Sequence, residues 1–216
     1  MRVDYNQYWE DRLQRNYTPV MPRHREIVRI IKERKRAGKI LDLGCGEGHI
    51  LQMLPDFYEK YGSDVSDVAL SLIKDEKIHK KACDLNQDFP FDLNFDVIIA
   101  SEVLEHLGNP YNVLEKVKEH LAKDGLFLVT TPSVTLWKHR LQLLRGRFPK
   151  YDPSHINFWD IDSFAELLRN YGYKILDYYP TYFVLPVRFT EAMIAKLRPL
   201  HKLFGEQFLF ICEVNK

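Results

Sequence analysis

Three glycines alternate in the run ILDLGCGEGHI, residues 40–50, at Gly44, Gly46 and Gly48. Glycine permits positive φ and close backbone approach, so a ligand can lie against the main chain at this point. A helix beginning just beyond supplies unpaired N–H groups. Pyrophosphate is a common guest of such loops, but its fingerprint reads G-x-G-x-x-G, and position 49 is His49. Asp42 and Glu47 also set negative charge beside the loop. A ligand without phosphate, carrying positive charge, suits the run better. Two more acids follow at strand ends. Asp64, in YGSDVSDVAL, can accept hydrogen bonds from both hydroxyls of a ribose, while Ser66 or Asp67 caps the next helix. Asp84, in ACDLN, can accept from an adenine amino group beside the Leu85 main chain; its other reading is a turn-forming Asp ahead of Asn86.

These residues need elements to position them. Residues 4–36 read as helices, with Ile27, Ile30 and Ile31 on one face, a Lys/Arg run at 32–36 suited to a helix C-terminus, and Gly38 as the stop. Strand candidates then follow at 39–43, 59–65, 78–85, 95–101, 125–131, 174–180 and 207–214, with helical stretches around 47–54, 66–74, 110–122 and 160–171. Several strands are short, nearly continuous apolar runs, as expected when helices cover both faces of a sheet. The alternation predicts an α/β sandwich with a mostly parallel sheet. Two excursions, 132–158 and 181–206, break the pattern, and long loops in a compact domain are usually functional.

The 216 residues include 31 Lys+Arg and 30 Asp+Glu, a formal charge of +1. That balance gives no global field to capture nucleic acid, so any such site must be local. With 45% hydrophobic and 13% aromatic residues, the chain is not a disordered one. Cys45, Cys83 and Cys212 are odd in number and widely spaced, which argues against a disulfide framework or structural zinc. The charged N-terminus lacks a signal-like apolar core, and no run approaches the ~18–20 residues that span a bilayer, so a cytoplasmic protein is expected.

The runs DLGCGEG (42–48), GSDVS (62–66), CDL (83–85), FDVIIASEVLEHL (95–107) and LAKDGLFLVTTPS (121–133) together resemble the class I S-adenosylmethionine-dependent methyltransferases. The resemblance covers nearly all of residues 38–180, and QFLFICEV resembles that family's last, antiparallel strand. It implies a Rossmann-like three-layer sandwich with a seven-stranded sheet, a single domain over 1–216, an N-terminal helical cap over 1–37, and the two excursions as acceptor-side insertions. It further implies S-adenosylmethionine as cofactor. Asp42, Gly44, Gly46 and Gly48 would surround the methionine portion, Asp64 with Val65 the ribose, and Asp84 with Leu85 the adenine, with Ser101 lining the same cleft. The family's KPGG turn stands here as Lys123-Asp124-Gly125, a change that Asp tolerates.

Methyl transfer from a sulfonium requires alignment above all, and a hydroxyl acceptor also requires proton removal, most often by His. The candidate catalytic residues are His106, in Glu102-Val-Leu-Glu105-His106, and His155, in SHINFW. For each, a purely structural role competes. Glu102, Glu105, His106 and His155 also resemble the metal-binding set of small-RNA 3′-terminal ribose methyltransferases. No metal is assigned on that resemblance, which leaves the question open. On the acceptor side, residues 136–150 hold Lys138, His139, Arg140, Arg145, Arg147 and Lys150 with no acid, while Trp137, Leu141 and Leu144 share a helical face. A lid, a phosphate or nucleic-acid contact, and a membrane-surface helix all fit. Phe183, Leu185, Phe189, Met193, Leu197 and Phe204 interleave with Arg188, Lys196, Arg198 and Lys202 in the same way. The acceptor expected is a small molecule, or a lipid- or sugar-linked one, with nucleic acid as second reading and a non-catalytic binding protein as third. Tyr5, Tyr8, Trp9 and Tyr17 are expected to cover the cofactor cleft, and Arg23 or His24 to meet the cofactor carboxylate, with plain helix packing as the competing account.

Overall fold

A computed structural model describes residues 3–15, 19–149, 152–185 and 198–215. Its strands are β1 (Gly38–Leu43), β2 (Tyr58–Asp64), β3 (Ile78–Ala82), β4 (Phe95–Ser101), β5 (Leu121–Pro132), β6 (Tyr173–Phe183) and β7 (Gly205–Val214). They form one sheet in the order β3-β2-β1-β4-β5-β7-β6. Strands β1 to β5 pair in parallel, and β7 runs antiparallel to both β5 and β6. This is the Rossmann-like sandwich that the alternation and the resemblance imply, with the antiparallel strand last in the chain.

The helices are α1 (Tyr5–Gln14), α2 (Pro22–Arg34), α3 (His49–Met53), α4 (Asp67–Ser71), α5 (Pro110–His120), α6 (Trp137–Leu144), α7 (Ile161–Asn170) and α8 (Arg198–Phe204), with a 3-10 turn at Leu104–His106. Neighbouring strand residues serve opposite cores, which is why the strands read as unbroken apolar runs. Leu41, Ile98 and Phe127 pack with Phe164 and Leu168 of α7, whereas Ile40, Ile99 and Leu128 pack against Ile27, Ile30 and Ile31 of α2. Full burial of each such side chain stabilises the fold by about 1.5–3 kcal/mol.

Several boundaries differ from expectation, and two of the differences have a clear local cause. Helix α2 stops at Arg34, and Gly38, at φ +136, opens β1 instead of ending the helix. The Lys39 N–H donates to Asp96 Oδ2 at 2.8 Å, and a side chain at residue 38 would collide with that same Asp96. Helix α4 is shorter than the expected stretch, and Ser66, not Asp67, caps it by accepting the Ala69 N–H at 3.2 Å. Of the acceptor-side and cap residues named from sequence, Tyr17, Lys150, Arg188, Phe189, Met193, Lys196 and Leu197 lie outside the described residues. Among the described residues, no helix is long and apolar enough to cross a membrane.

Candidate functional site

Strands β2 and β3 lie on one side of β1, and β4 and β5 on the other, so the winding reverses between β1 and β4. An open α/β sheet forms its crevice at the carboxyl ends of strands around such a point. A cleft of about 820 Å³ opens there, a size that admits a nucleoside-bearing ligand. Asp42, Gly44, Gly46, Asp64, Val65, Asp84, Leu85, Ser101, His106 and His155 all line it. Gly48 does not: at φ +74 it caps α3 and sits close to Ile73.

The register of β1 places Asp42 opposite Gly62 of β2 and Ile99 of β4, so its side chain projects at the central strand's end. Asp42 is 2% exposed, and its Oδ1 has no hydrogen-bond partner among the described residues. Burial first, and the nearby Asp64 charge second, push its pKa up to about 8. A carboxyl in that state ionises readily only beside a cation. Gly46, at φ +54, donates its N–H to Asp64 Oδ2 at 2.9 Å, and the Trp9 ring occupies the space a side chain would need. Asp64 Oδ1 accepts the Ser66 N–H at 2.9 Å. Burial raises the Asp64 pKa, and the N–H bonds from Ser66 and Gly46 oppose that rise. Two turns thus hold one carboxylate, and each oxygen keeps lone-pair capacity for a ligand hydroxyl.

Asp84 closes its own turn. Its Oδ1 accepts from the Asn86 backbone at 3.0 Å and the Asn86 side-chain amide at 2.9 Å, and its Oδ2 from Gln87 at 3.1 Å. The turn reading is therefore realised, while the residue still borders the cleft. Val65 beside Asp64 is 44% exposed and offers an apolar face for a flat ring, whereas Leu85 is buried.

The opposite wall is built from Glu102, Glu105, His106 and the segment 152–157. Glu102 adopts φ +58, a conformation that costs a non-glycine residue of order 1–3 kcal/mol. Its surroundings over-determine it. The Glu102 N–H donates to Thr130 Oγ1 at 2.9 Å, Thr130 Oγ1 donates to Glu102 Oε1 at 2.9 Å, and Gln207 Nε2 donates to Oε2 at 3.0 Å. Gln207 in turn accepts from Arg23 Nη1 at 3.3 Å. Burial raises the Glu102 pKa, with the Arg23 charge opposing.

Glu105 is fully buried, and neither carboxyl oxygen has a hydrogen-bond partner among the described residues. Burial, then the Glu102 charge, holds its pKa well above the ordinary carboxylate range. Its carbonyl accepts the N–H groups of Ile156 and Asn157, at 2.9 and 3.0 Å. Asn157 Nδ2 donates to the carbonyls of Leu104, at 3.2 Å, and Leu107, at 2.7 Å. The return of the long excursion is thereby clamped onto the 3-10 turn, and the His106 and His155 rings come within 4.7 Å, edge to face. Burial lowers the pKa of both imidazoles, so both are neutral at pH 7. His106 Nδ1 lies 3.3 Å from the Ser154 carbonyl, while His155 Nδ1 has no partner among the described residues. One ligand atom from each of Glu105, His106 and His155 falls within 4.8 Å of the others.

Helix α1 roofs the cleft. Asn6 Oδ1 accepts from Ser66 Oγ at 2.7 Å, Trp9 lies on Gly46, and Tyr5 meets the His106 ring edge-on at 6.3 Å. Tyr5, Tyr8, Trp9, Arg23 and His24 all border the cavity. His24 is held neutral, its pKa pushed down to about 3 by burial and by Arg23, and its Nδ1 accepts the Met21 N–H at 3.3 Å. Sequence reasoning missed Asn6, Thr130, Asn157 and Gln207. Thr130, Asn157 and Gln207 lie inside runs that the sequence marks only as strand or loop, and each of the four residues acts on a partner distant in the chain.

Residues 8–178 match the family described as methyltransferase domain. The chain belongs to this methyltransferase family. Among relatives, it is 28% identical over 114 residues to Bacillus cereus malonyl-[acyl-carrier protein] O-methyltransferase, covering 49% of this chain and 42% of that one. It is 28% identical over 126 residues to the ubiquinone biosynthesis O-methyltransferase of Glaesserella parasuis, covering 51% and 52%. The methyltransferase thus spans about half the length of these curated relatives. A Haloferax volcanii methyltransferase, solved in complex with the Trm112 activator, superposes with a TM-score of 0.69 over 100% of both chains at 17% identity, which shows a shared fold. S-adenosylmethionine is the cofactor of the methyltransferase. The cleft suits it: acids at three neighbouring strand ends favour a cationic, hydroxyl-bearing ligand and disfavour pyrophosphate.

Proposed function

We propose that the methyltransferase transfers a methyl group to an oxygen of a small, lipid-linked or sugar-linked acceptor, with His155 as the base. S-adenosylmethionine supplies, when bound, an electrophilic methyl on a sulfonium. Asp42 and the loop of Gly44 and Gly46 hold the positively charged methionine end, Asp64 the ribose hydroxyls with Val65 against the ring, and Asp84 with Leu85 the adenine edge. Gly48 contributes by shaping the loop from behind, and Ser101 borders the methyl-transfer side. The observation that carries the oxygen-acceptor reading is an imidazole on the cleft wall, His155, whose pKa burial lowers and whose Nδ1 is buried with no partner among the described residues. An imidazole that lines the cleft in its neutral form takes a hydroxyl proton as the oxygen attacks. His106 is the second candidate: a proton on its Nδ1 satisfies the Ser154 carbonyl and leaves Nε2 basic. The two O-methyltransferase relatives, one acting in ubiquinone biosynthesis and one on a carrier-linked malonyl group, support the same reaction class.

The test is calorimetry with S-adenosylhomocysteine, followed by product formation across a panel of phenols, acyl thioesters and sugar hydroxyls. His155→Ala is expected to lower turnover about 10²–10⁴-fold with homocysteine-adduct affinity unchanged. Undiminished turnover in that variant, or methylation confined to nitrogen acceptors, removes the reading.

A metal-assisted ribose methylation is the second reading, favoured by the convergence of Glu105, His106 and His155 around a buried, unpartnered carboxyl. Held by these donors, a divalent ion would supply Lewis acidity to a pair of adjacent hydroxyls. Glu102 lies outside this set of converging ligand atoms, and Thr130 and Gln207 each bond one of its oxygens. Chelator then abolishes turnover and a divalent ion restores it, and Glu105→Leu weakens metal binding. Full activity in chelator, with a Glu105→Leu protein about 1–3 kcal/mol more stable for losing an unpaired buried carboxyl, excludes it.

A further inference from the structure

The second half of the 132–158 excursion carries a surface that the cleft does not use. Helix α6 is fastened at its start: Leu136 is buried, Trp137 Nε1 donates to the Val184 carbonyl at 2.8 Å, and Arg140 Nε to the Thr135 carbonyl at 2.8 Å. Beyond that anchor the character changes. Residues 143–148, LLRGRF, are all exposed, with Leu143 at 53%, Leu144 at 85% and Phe148 at 71%. A side chain added at Gly146 would meet nothing within 4 Å, so the chain stands clear of the body there. Phe148 reaches back edge-on to Phe158, 6.2 Å away. Phe158 is 43% exposed, and Ile156, 57% exposed, is itself part of the cleft wall. The apolar tip is therefore continuous with the acceptor mouth.

Charge within the tip's own stretch of chain has one sign. Lys138, Arg140, Arg145 and Arg147 fall in residues 133–149, which contain no Asp or Glu, although the whole chain is near neutral. Cations interleaved with exposed aliphatic side chains match one partner in chemistry, a bilayer with anionic headgroups. RNA would pair with the arginines and stack on Phe148, but it gives Leu143 and Leu144 no dry environment.

We infer that the tip formed by Leu143, Leu144, Arg145, Arg147 and Phe148 docks the methyltransferase on an anionic membrane surface and turns the acceptor mouth toward lipid. The inference rests on the lipid-linked branch of the proposed function and narrows the acceptor to molecules resident in the bilayer. The apolar side chains enter the headgroup boundary while the arginines meet lipid phosphates, so each half is needed.

The experiment is co-sedimentation of the full chain with vesicles of phosphatidylcholine alone and of three parts phosphatidylcholine to one part phosphatidylglycerol, at low and physiological salt. Binding is expected only with the anionic vesicles and weakens with salt. The double variants L144S/F148S and R145E/R147E are each expected to cut partitioning by at least about tenfold, with unchanged melting temperature and S-adenosylhomocysteine affinity. No sedimentation, equal sedimentation with neutral vesicles, or insensitivity to L144S/F148S overturns the inference. So does single-stranded RNA that displaces the vesicles, or a dimer whose dissociation follows the same variants. The calorimetric arm separates the two readings. Adduct binding without vesicle binding leaves methyl transfer standing, and vesicle binding without adduct binding removes methyl transfer alone.

Discussion

The two walls of the cleft are built by different means. The wall proposed for the cofactor comes from short loops at the ends of β1, β2 and β3, and two of its three acids are held by near neighbours or by the adjacent loop. Asp64 is fixed by Gly46 and Ser66, and Asp84 by Asn86 and Gln87. The wall proposed for the acceptor joins a turn at residues 104–107 to a segment about 50 residues later, through Asn157, the Glu105 carbonyl and the Ser154–His106 contact. One wall is local and rests on the sheet. The other is a clamp between distant segments, joined to the first where the Gly108 N–H donates to Asn86 Oδ1 at 2.7 Å. That division suits an enzyme whose ligand on one side is constant and whose acceptor on the other sets specificity.

The sharpest way to break the comparison is Asp64→Ala. Loss of two backbone N–H bonds and of the proposed ribose contact is expected to weaken S-adenosylhomocysteine binding about 100-fold or more by calorimetry. Binding within threefold of the parent would show that the cofactor wall is not where the acids lie. Next in size is a pH effect on the same wall. Asp42 titrates at about 8 in the free protein and must ionise to meet a cation. Affinity for the adduct should therefore rise with pH, by roughly tenfold per unit below pH 7, and level off above pH 8 as the carboxyl is already ionised. Asp42→Asn should flatten that rise and lower the affinity at pH 8.

On the acceptor wall the expected effects are smaller and of another kind. Asn157→Ala leaves the Leu104 and Leu107 carbonyls without their side-chain donor, at a cost of about 1–3 kcal/mol, or a fall of a few degrees in melting temperature. Adduct binding should remain, while turnover drops as His155 loses its position. An equal loss of adduct affinity would mean that the walls are not separable. Thr130→Val is the mildest probe. It removes two bonds to Glu102, and a fall in stability of about 1–2 kcal/mol is expected by thermal melting, with adduct affinity nearly unchanged.

The contrast also explains what could be read from the chain. Glycine spacing, acids after apolar runs and strand–helix alternation are short-range patterns, so all seven strands and the glycines and acids that border the cleft were legible. That Gly48 packs against Ile73 and does not line the cleft could not be read from sequence, because a loop position and a cleft position look alike until φ and packing are known. Asp84 could be a turn or a contact, and both its turn bonds and its place on the wall emerged only in three dimensions. Asn157, Thr130 and Gln207 carried no local signal, since each acts across at least 28 residues of chain.

The sequence by itself determined the sheet, the glycine loop and the line of acids, because hydrophobic period and backbone permissiveness act between neighbours. Only the tertiary structure decided that His106 and His155 share a wall, that Glu105 is sealed with no side-chain partner among the described residues while both Glu102 oxygens are bonded, and that the basic tip stands beside the cleft wall at Ile156. Those outcomes depend on which distant surfaces exclude water together, and burial of that kind is a property of the packed chain.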